Sequence, residues 1–297
     1  MKKKILFIIN PKSGTGRYRK VPSRVEAFLD KETYDYDICY TQYKGHATEL
    51  AHKAVEDRVD MVVSVGGDGT LNEVVRALVG TQTALGILAT GSGNGLARHL
   101  HIPVRIKDAV RLLNEGYTEC IDTVALNGQV YASIAGVGFD ALVAERYSHV
   151  WRRGFFPYLD LVIRNYFHYK PRTYVMEGDG QKHVVKALLI SFANSSQWGF
   201  DVKISPEASV QDGLVNVTVV QKPPLLAVPF LLLFLFSGNL NRIDKYVKIY
   251  KIKNFKLKSE DGGALYTHLD GDFMGMQPEA DVSIRPMSLR IALKRTI

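Results

Sequence analysis

Residues Ser64 to Val75 read SVGGDGTLNEVV, which sets one carboxylate, Asp68, among three glycines between an apolar run and an amphipathic one. The run MVVSV is strand-like, and Val74, Val75 and Leu78 have the spacing of a helix's buried stripe. Thr70, with Glu73 three residues on, has the form of a capping box. Gly66-Gly67-Asp68-Gly69 therefore stands at a strand end, immediately before a helix N-terminus, where free N–H groups and the helix dipole favour an anion. Glycine lets the backbone approach phosphate oxygens that a side chain would hold off. A bare carboxylate beside phosphate repels it, unless a divalent cation sits between them. Mg²⁺ characteristically takes one or two carboxylates plus phosphate oxygens. Mg-nucleotide binding is the economical reading of this stretch; a tight turn with a solvated Asp68 is the plain one.

Two further segments bear on that choice. NPKSGTGR, Asn10 to Arg17, follows the first apolar run, and TGSGNGLARH, Thr90 to His99, follows the run LGILA. In a doubly wound parallel sheet, the loops after the strands emerge at one edge, where ligands bind. Three glycine-rich loops after three strands converge there. Neither segment is a Walker A loop, and the dinucleotide fingerprint fails because Leu96 stands where its third glycine belongs. Lys12, Arg17 and Arg98 supply positive charge near the loops.

Elements able to position these residues alternate along the first part of the chain. KILFII, YDYDICYT, DMVVSVGG and ALGILAT read as strands, and VPSRVEAFLD, HATELAHKAVE and TLNEVVRALV as helices. Strand and helix in turn predict a parallel sheet with helices on both faces. After Asp122 the texture changes to strand-like segments broken by Gly, Asn and Asp. Only AERYSHVWRRGFFPYLDLVIRNYFHY and the Leu225–Leu240 stretch read as helical there. The expected organisation is an α/β domain over 1–122, completed by 283–297, and a mainly antiparallel β-rich domain over 123–282.

The 297 residues, 46% hydrophobic and 23% charged, are ordinary globular values and argue against disorder. A formal charge of +8 favours anionic partners. No nucleic-acid recognition module is visible, so nucleic acid is not an expected partner. Cys39 and Cys120 lie far apart without CxxC spacing, which argues against a disulfide framework or structural zinc site and suits a reducing cytosol. The opening MKKKILFIIN meets Asn10-Pro11 too early for a signal peptide. LLAVPFLLLFLF, Leu225 to Phe236, falls short of the roughly 20 residues of a bilayer span.

NPKSG, GGDGTLNEV and GSGNGLAR, followed by GVGFDA and DGLVNV, resemble in order and spacing the diacylglycerol kinase catalytic family, which includes bacterial lipid kinases, diacylglycerol kinases and sphingosine kinases. The resemblance covers nearly the whole chain. It implies an N-terminal domain related to phosphofructokinase and NAD kinase, a C-terminal β-sandwich, and transfer of the γ-phosphoryl of ATP to a lipid hydroxyl. It also implies that the extreme C-terminal strand, here LRIALK, completes the first domain. By the family pattern the nucleotide is held by Asn10 and the turn Pro11, Lys12, Ser13 and Gly14, by Thr41, by Gly66, Gly67, Asp68, Gly69, Thr70, Leu71 and Asn72, and by Ser92, Gly93 and Asn94. Asp68 then faces Mg²⁺ and phosphates. A second, structural Mg²⁺ is implied on Asp212 and the backbone carbonyls of Ser209 and Leu214; an ordinary Asp-Gly turn is the alternative.

The chain departs from the family pattern twice. Where the family usually shows Asp-Gly-Glu with Glu as base, this chain has Asp270-Gly271-Asp272. Asp272 is the expected base, one methylene shorter, with Asp270 the second candidate. Many bacterial members carry Asp where Gly95 stands, and GSGNG is closer to the sphingosine and ceramide kinase version. The implied activity is an ATP- and Mg²⁺-dependent lipid kinase acting on a diacylglycerol or sphingoid-type acceptor. The alternatives are an NAD kinase-like enzyme, or a non-catalytic nucleotide- or lipid-binding protein with a degenerate base.

The lipid is expected to be met at the membrane surface, by a cytoplasmic protein peripheral to the inner face. Two apolar segments, WRRGFFPYLDLVIRNYFHY and LLAVPFLLLFLF, could lie in an interface or simply cover the second domain's sheet, with the lysines of NRIDKYVKIYKIKNFKLK as its wet face. His46, His99, His101 and His268 lack metal-ligand spacing. The oligomeric state is open, a homodimer included.

Overall fold

The computed structural model describes residues 2–14, 16–150 and 155–295, so Thr15 of the first glycine loop and residues 151–154 of the first long apolar segment lie outside the described residues. The chain divides into two units, Met1–Thr123 with Pro286–Ile297, and Val124–Arg285.

The first unit alternates β1 (Lys3–Ile9), α1 (Val21–Phe28), β2 (Tyr34–Tyr40), α2 (His46–Glu56), β3 (Met61–Gly66), α3 (Asp68–Leu78), β4 (Ala84–Ala89), α4 (Gly95–His99) and α5 (Ile106–Asn114). The strands run parallel in the order β2-β1-β3-β4. β3 and β4 are buried at every residue, as a parallel sheet covered on both faces requires. Ile5, Phe7 and Ile9 on β1 and Met61, Val63 and Val65 on β3 pack with α1 and α5. The helices α2 and α3 pack on each other and on β1, β3 and β4.

From β5 (Thr118–Leu126) the chain enters the second unit: β6 (Gln129–Tyr131), β7 (Ile134–Gly138), α6 (Phe139–Ser148), α7 (Phe155–His168), β8 (Arg172–Gly178), β9 (Gln181–Ala187), β10 (Leu189–Ala193), β11 (Val215–Val220), α8 (Val228–Ser237), β12 (Val247–Ile252), β13 (Asn254–Ser259), β14 (Leu265–Leu269), β15 (Asp272–Gln277) and β16 (Ala280–Ala292). A six-stranded antiparallel sheet, β12-β11-β10-β7-β14-β15, faces the antiparallel run β13-β8-β9. Ala135, Val137, Ile190 and Phe192 of the first sheet meet Tyr174, Met176, Phe255 and Leu257 of the second across one apolar core. This is a β-sandwich. Period two sends the alternate residues Ile134, Leu189 and Ala193 to the opposite face, where α6, α7 and α8 cover them. The first residues of β16 pair with β13 in this unit, and Ile291 near its end lies opposite Leu85 of β4 in the first.

The strand-like runs after Asp122, TVALNGQVYASIAGVGF, KALLISFANS, LVNVTVVQ, YVKIYKIKNFKLKS and VSIRPMSLRIALK, leave out the hairpin β8–β9. β9 sits at the sheet's end and is largely exposed, so its residues QKHVVKA carry the polar composition of an edge strand rather than a buried run. Its Asp179-Gly180 turn, both residues at positive φ, was the readable sign.

Candidate active site

In the first unit the three glycine loops meet backbone to backbone. A Cβ on Gly14 would lie 2.1 Å from the Thr90 carbonyl oxygen, and one on Gly91 would lie 2.3 Å from the Gly67 Cα. Gly14 also has φ 65°, a region that favours glycine. These glycines are therefore required for loop-to-loop contact, a demand separate from any approach of phosphate. Asn10 adds side-chain ties. Its Nδ2 donates to Thr70 Oγ1 at 2.8 Å, and its Oδ1 accepts from the Lys12 N–H at 2.9 Å. The Ser13 N–H closes the turn on the Asn10 carbonyl.

The helix α3 starts three residues earlier than the capping-box reading places it. It begins at Asp68 with Gly67 at the N-cap, and no side chain caps it. Thr70 lies inside the helix, and Glu73 is too far along to reach back to that end. Instead Glu73 caps α2: its carboxylate accepts from the N–H groups of Gly45 at 2.9 Å and Ala47 at 3.2 Å. Leu71 donates its N–H to the Gly67 carbonyl. The N–H groups of Gly69 and Thr70 belong to the set that a helix start leaves without intrahelical acceptors.

Asp68 ties the second loop to the third. Its Oδ2 accepts from the Asn94 N–H and its Oδ1 from the Gly95 N–H, both at 2.9 Å. Asn94 has φ 55° and donates its side-chain amide to the Gly91 carbonyl at 2.8 Å. Burial pushes the Asp68 carboxyl above its usual range, against the pull of those two N–H groups and of Arg98. Arg98 donates from Nε to the Gly93 carbonyl. Ser92 and Lys12 are exposed beside this assembly, and Thr41 is buried at the end of β2, where its N–H donates to Ile9. The side chains of Thr70, Leu71 and Asn72 are buried.

In the second unit, Leu269 and Asp272 pair across β14 and β15, so Asp270-Gly271 is a two-residue hairpin turn with φ 48° and 84°. Asp270 exchanges hydrogen bonds with Ile134: the Asp270 N–H donates to the Ile134 carbonyl, and Asp270 Oδ1 accepts from the Ile134 N–H, both at 2.8 Å. Asp272 is exposed at the first position of β15.

Two residues before the turn, His268 Nε2 lies 3.0 Å from Asp140 Oδ2, with both side chains buried. A Cβ on Gly136 would meet those two atoms at 2.8 and 2.5 Å, so the pair needs a glycine there. This contact escaped the sequence reading because the partners stand 128 residues apart. The one available sign was Asp140 within GVGFDA. At the third position, Asp212 Oδ1 accepts from the Leu214 N–H at 3.1 Å, its Oδ2 lies 3.9 Å from Lys251 Nζ, and Ser209 Oγ accepts from the Gln211 N–H. Among the described residues no cluster of three or more His, Cys, Asp or Glu side chains is placed to hold a metal.

Residues 4–126 match the diacylglycerol kinase catalytic domain, and residues 133–293 match the YegS C-terminal NAD kinase β-sandwich-like domain. The chain belongs to the diacylglycerol kinase catalytic family. It is a kinase. A diacylglycerol kinase of Mycobacterium tuberculosis is 28% identical over 300 residues, 98% of this chain and 96% of that protein. One from Staphylococcus carnosus is 27% identical over 284 residues, 94% of this chain and 91% of that protein. A solved structure of a putative diacylglycerol kinase from Bacillus anthracis shares the fold, with a TM-score of 0.80 at 20% identity, covering 98% of this chain and 95% of that one. Phosphoryl transfer by a kinase asks chiefly for positioning and charge stabilisation.

Proposed function

We propose that this kinase transfers the γ-phosphoryl of ATP, as its magnesium complex, to the hydroxyl of a lipid, with diacylglycerol the first acceptor to test. The observation that carries the reading is Asp68: a single carboxylate held by two backbone N–H groups where three glycine loops meet, at the uncapped start of α3. The named relatives point to the same acceptor.

Asn10 with the turn Pro11 to Gly14, Thr41, the stretch Gly66 to Asn72, and Ser92 to Asn94 are assigned to the nucleotide. Gly69 and Thr70 offer N–H groups to phosphate oxygens, and the α3 dipole adds to them. Magnesium fits the donor at hand, because the Asp68 oxygens, which accept the Asn94 and Gly95 N–H groups, keep further lone-pair capacity. When bound, Mg²⁺ neutralises charge between the carboxylate and the phosphates. Asp272 is the base that takes the acceptor hydroxyl's proton as its oxygen attacks phosphorus and ADP leaves. Asp270 is the weaker candidate, since one of its oxygens is engaged with Ile134. A structural Mg²⁺ at Ser209, Asp212 and Leu214 would use hard oxygen donors that suit it, in competition with Lys251. A lipid acceptor implies work at the inner face of the membrane as a peripheral protein; among the described residues no helix is long and apolar enough to cross one.

The test is transfer from γ-labelled ATP with Mg²⁺ to diacylglycerol, sphingosine, ceramide and NAD in parallel. Labelled phosphatidic acid, lost in Asp272→Asn, supports the proposal as stated. A labelled sphingoid product would trace to the Gly95 version of the third loop. Transfer to NAD alone, or ATP binding with no transfer, would overturn it.

A further inference from the structure

The helix α8 is apolar on every side, yet only Leu235 within it is buried. Leu231, Phe234 and Leu235 pack into the cluster that covers the six-stranded sheet. The rest faces out: Leu226 is 87% exposed, Phe230 64% and Leu233 63%, with Leu225 and Phe236 exposed beside them. From Leu225 to Ser237 there is no charged residue. A surface helix of a soluble protein ordinarily carries a polar outer face, and contiguous exposed apolar patches mark interaction sites.

Basic residues stand at both ends of this bare stretch. Before it, Lys222 Nζ donates to the Tyr169 carbonyl at 2.8 Å and sits 5.0 Å from the centre of the Tyr166 ring, whose hydroxyl donates to the Pro223 carbonyl. After it, Lys203 lies against Gly238, Arg242 follows in a short 3-10 turn, and Lys245 Nζ sits 5.5 Å from the centre of the Tyr246 ring. The nearby acids in sequence are Asp201 and Asp244. Apolar side chains between cationic ends, with a Lys–Tyr pair on each side, match the layering of a bilayer surface, acyl chains below and anionic headgroups above. A partner protein could use the apolar face, but it gives no reason for Arg242 and Lys245 just beyond it.

We propose that α8 is an interfacial helix, lying flat on an anionic phospholipid surface with Leu226, Phe230 and Leu233 in the acyl region and Arg242 and Lys245 among the headgroups. The proposal goes beyond the lipid-kinase reading by naming the surface that brings the enzyme to its acceptor, and it rests on that reading for its purpose. Its test needs neither ATP nor acceptor.

Sedimentation with phosphatidylglycerol/phosphatidylcholine vesicles, and with phosphatidylcholine alone, measures the partition directly. Binding to the mixed vesicles is expected to exceed that to phosphatidylcholine at least tenfold, and to weaken as salt is raised. The triple variant Leu226→Gln, Phe230→Gln, Leu233→Gln should lose at least tenfold of the binding. Arg242→Gln with Lys245→Gln should remove most of the salt dependence. All five side chains are outside the proposed catalytic residues, and the apolar three are exposed. Each variant should keep its circular dichroism and its phosphorylation of short-chain, detergent-dispersed diacylglycerol. Unchanged vesicle binding by the triple variant overturns the proposal. So does a concentration-dependent dimer that the triple variant converts to monomer while wild-type vesicle binding is absent. Failure of the kinase reading would show separately, as no transfer to dispersed lipid by the wild type.

Discussion

Asp68 and Gly95 are joined by a hydrogen bond of 2.9 Å from the Gly95 N–H to the Asp68 carboxylate, so the carboxylate of the second glycine loop serves as the cap of the short helix that follows the third. The same oxygens are the proposed magnesium donors, which makes Asp68 at once a structural tie and a charged group. Two substitutions separate these roles. Asp68→Ala removes cap and charge, and should cost about 1–2 kcal/mol of stability in urea unfolding. Asp68→Asn keeps one acceptor oxygen, so its loss of stability should be smaller. Phosphoryl transfer should fall about 100-fold or more in both. Near-normal transfer by the Asn variant would mean that the carboxylate acts only as a cap.

Close packing of the loops makes Gly91 a sensitive glycine to alter. A Cβ there would press on the Gly67 Cα at 2.3 Å, backbone against backbone, and neither side can rotate away. Gly91→Ala should push the loops apart, with a cost of about 1–3 kcal/mol and an ATP affinity lowered about tenfold, read by calorimetry. Gly67→Ala is the control: its Cβ would meet the Gly91 Cα at 3.3 Å and Ser13 Oγ at 3.4 Å, contacts that a small shift relieves. Equal effects from the two would show that loop contact is not what these glycines provide.

Much of this arrangement was legible before the structure. The buried runs of β3 and β4, and glycine-rich loops after parallel strands, are local signals that a covered sheet enforces. The start of α3 was misplaced because Gly67-Asp68-Gly69 carries low helix propensity, while Thr70 to Glu73 has the spacing of a cap. Tertiary contacts decided otherwise: Asn10 takes the Thr70 hydroxyl, and the Gly45 and Ala47 N–H groups take Glu73. The pairing of His268 with Asp140 was beyond any spacing rule. For α8 composition left two readings open; the helix seats Leu231 and Leu235 in the cover of the sheet while exposing Phe230 and Leu233.

The two carboxylates of the Asp-Gly-Asp turn should respond to substitution in opposite ways. Asp270 holds the turn to β7 through Ile134, so Asp270→Ala should lower stability by about 1–3 kcal/mol by leaving the Ile134 N–H without that acceptor. Asp272 is exposed, and Asp272→Asn should leave the melting temperature within about 2 °C. On the proposed reaction, however, Asp272→Asn should reduce kcat by about 100-fold or more. Glu at position 272 restores the longer arm of the family pattern and should retain transfer. A stability loss in Asp272→Asn with unchanged kcat would reverse the assignment of the two residues.

Acid should weaken the fold from about pH 6.5 downward, and His99 is one reason. It ends α4, and burial, with His101 close by, pulls its pKa from 6.5 down to about 4. Between those values the unfolded chain binds a proton at His99 that the folded chain does not, so protons favour unfolding there. The stability contribution of neutral His99 is therefore complete above about pH 6.5 and is lost as pH falls toward about 4. His99→Gln carries no titrating group and should flatten the fall. Urea unfolding followed at pH 7, 5.5 and 4.5 on both proteins reads the difference. If the curves for wild type and variant decline in parallel across that window, some other group carries the acid sensitivity.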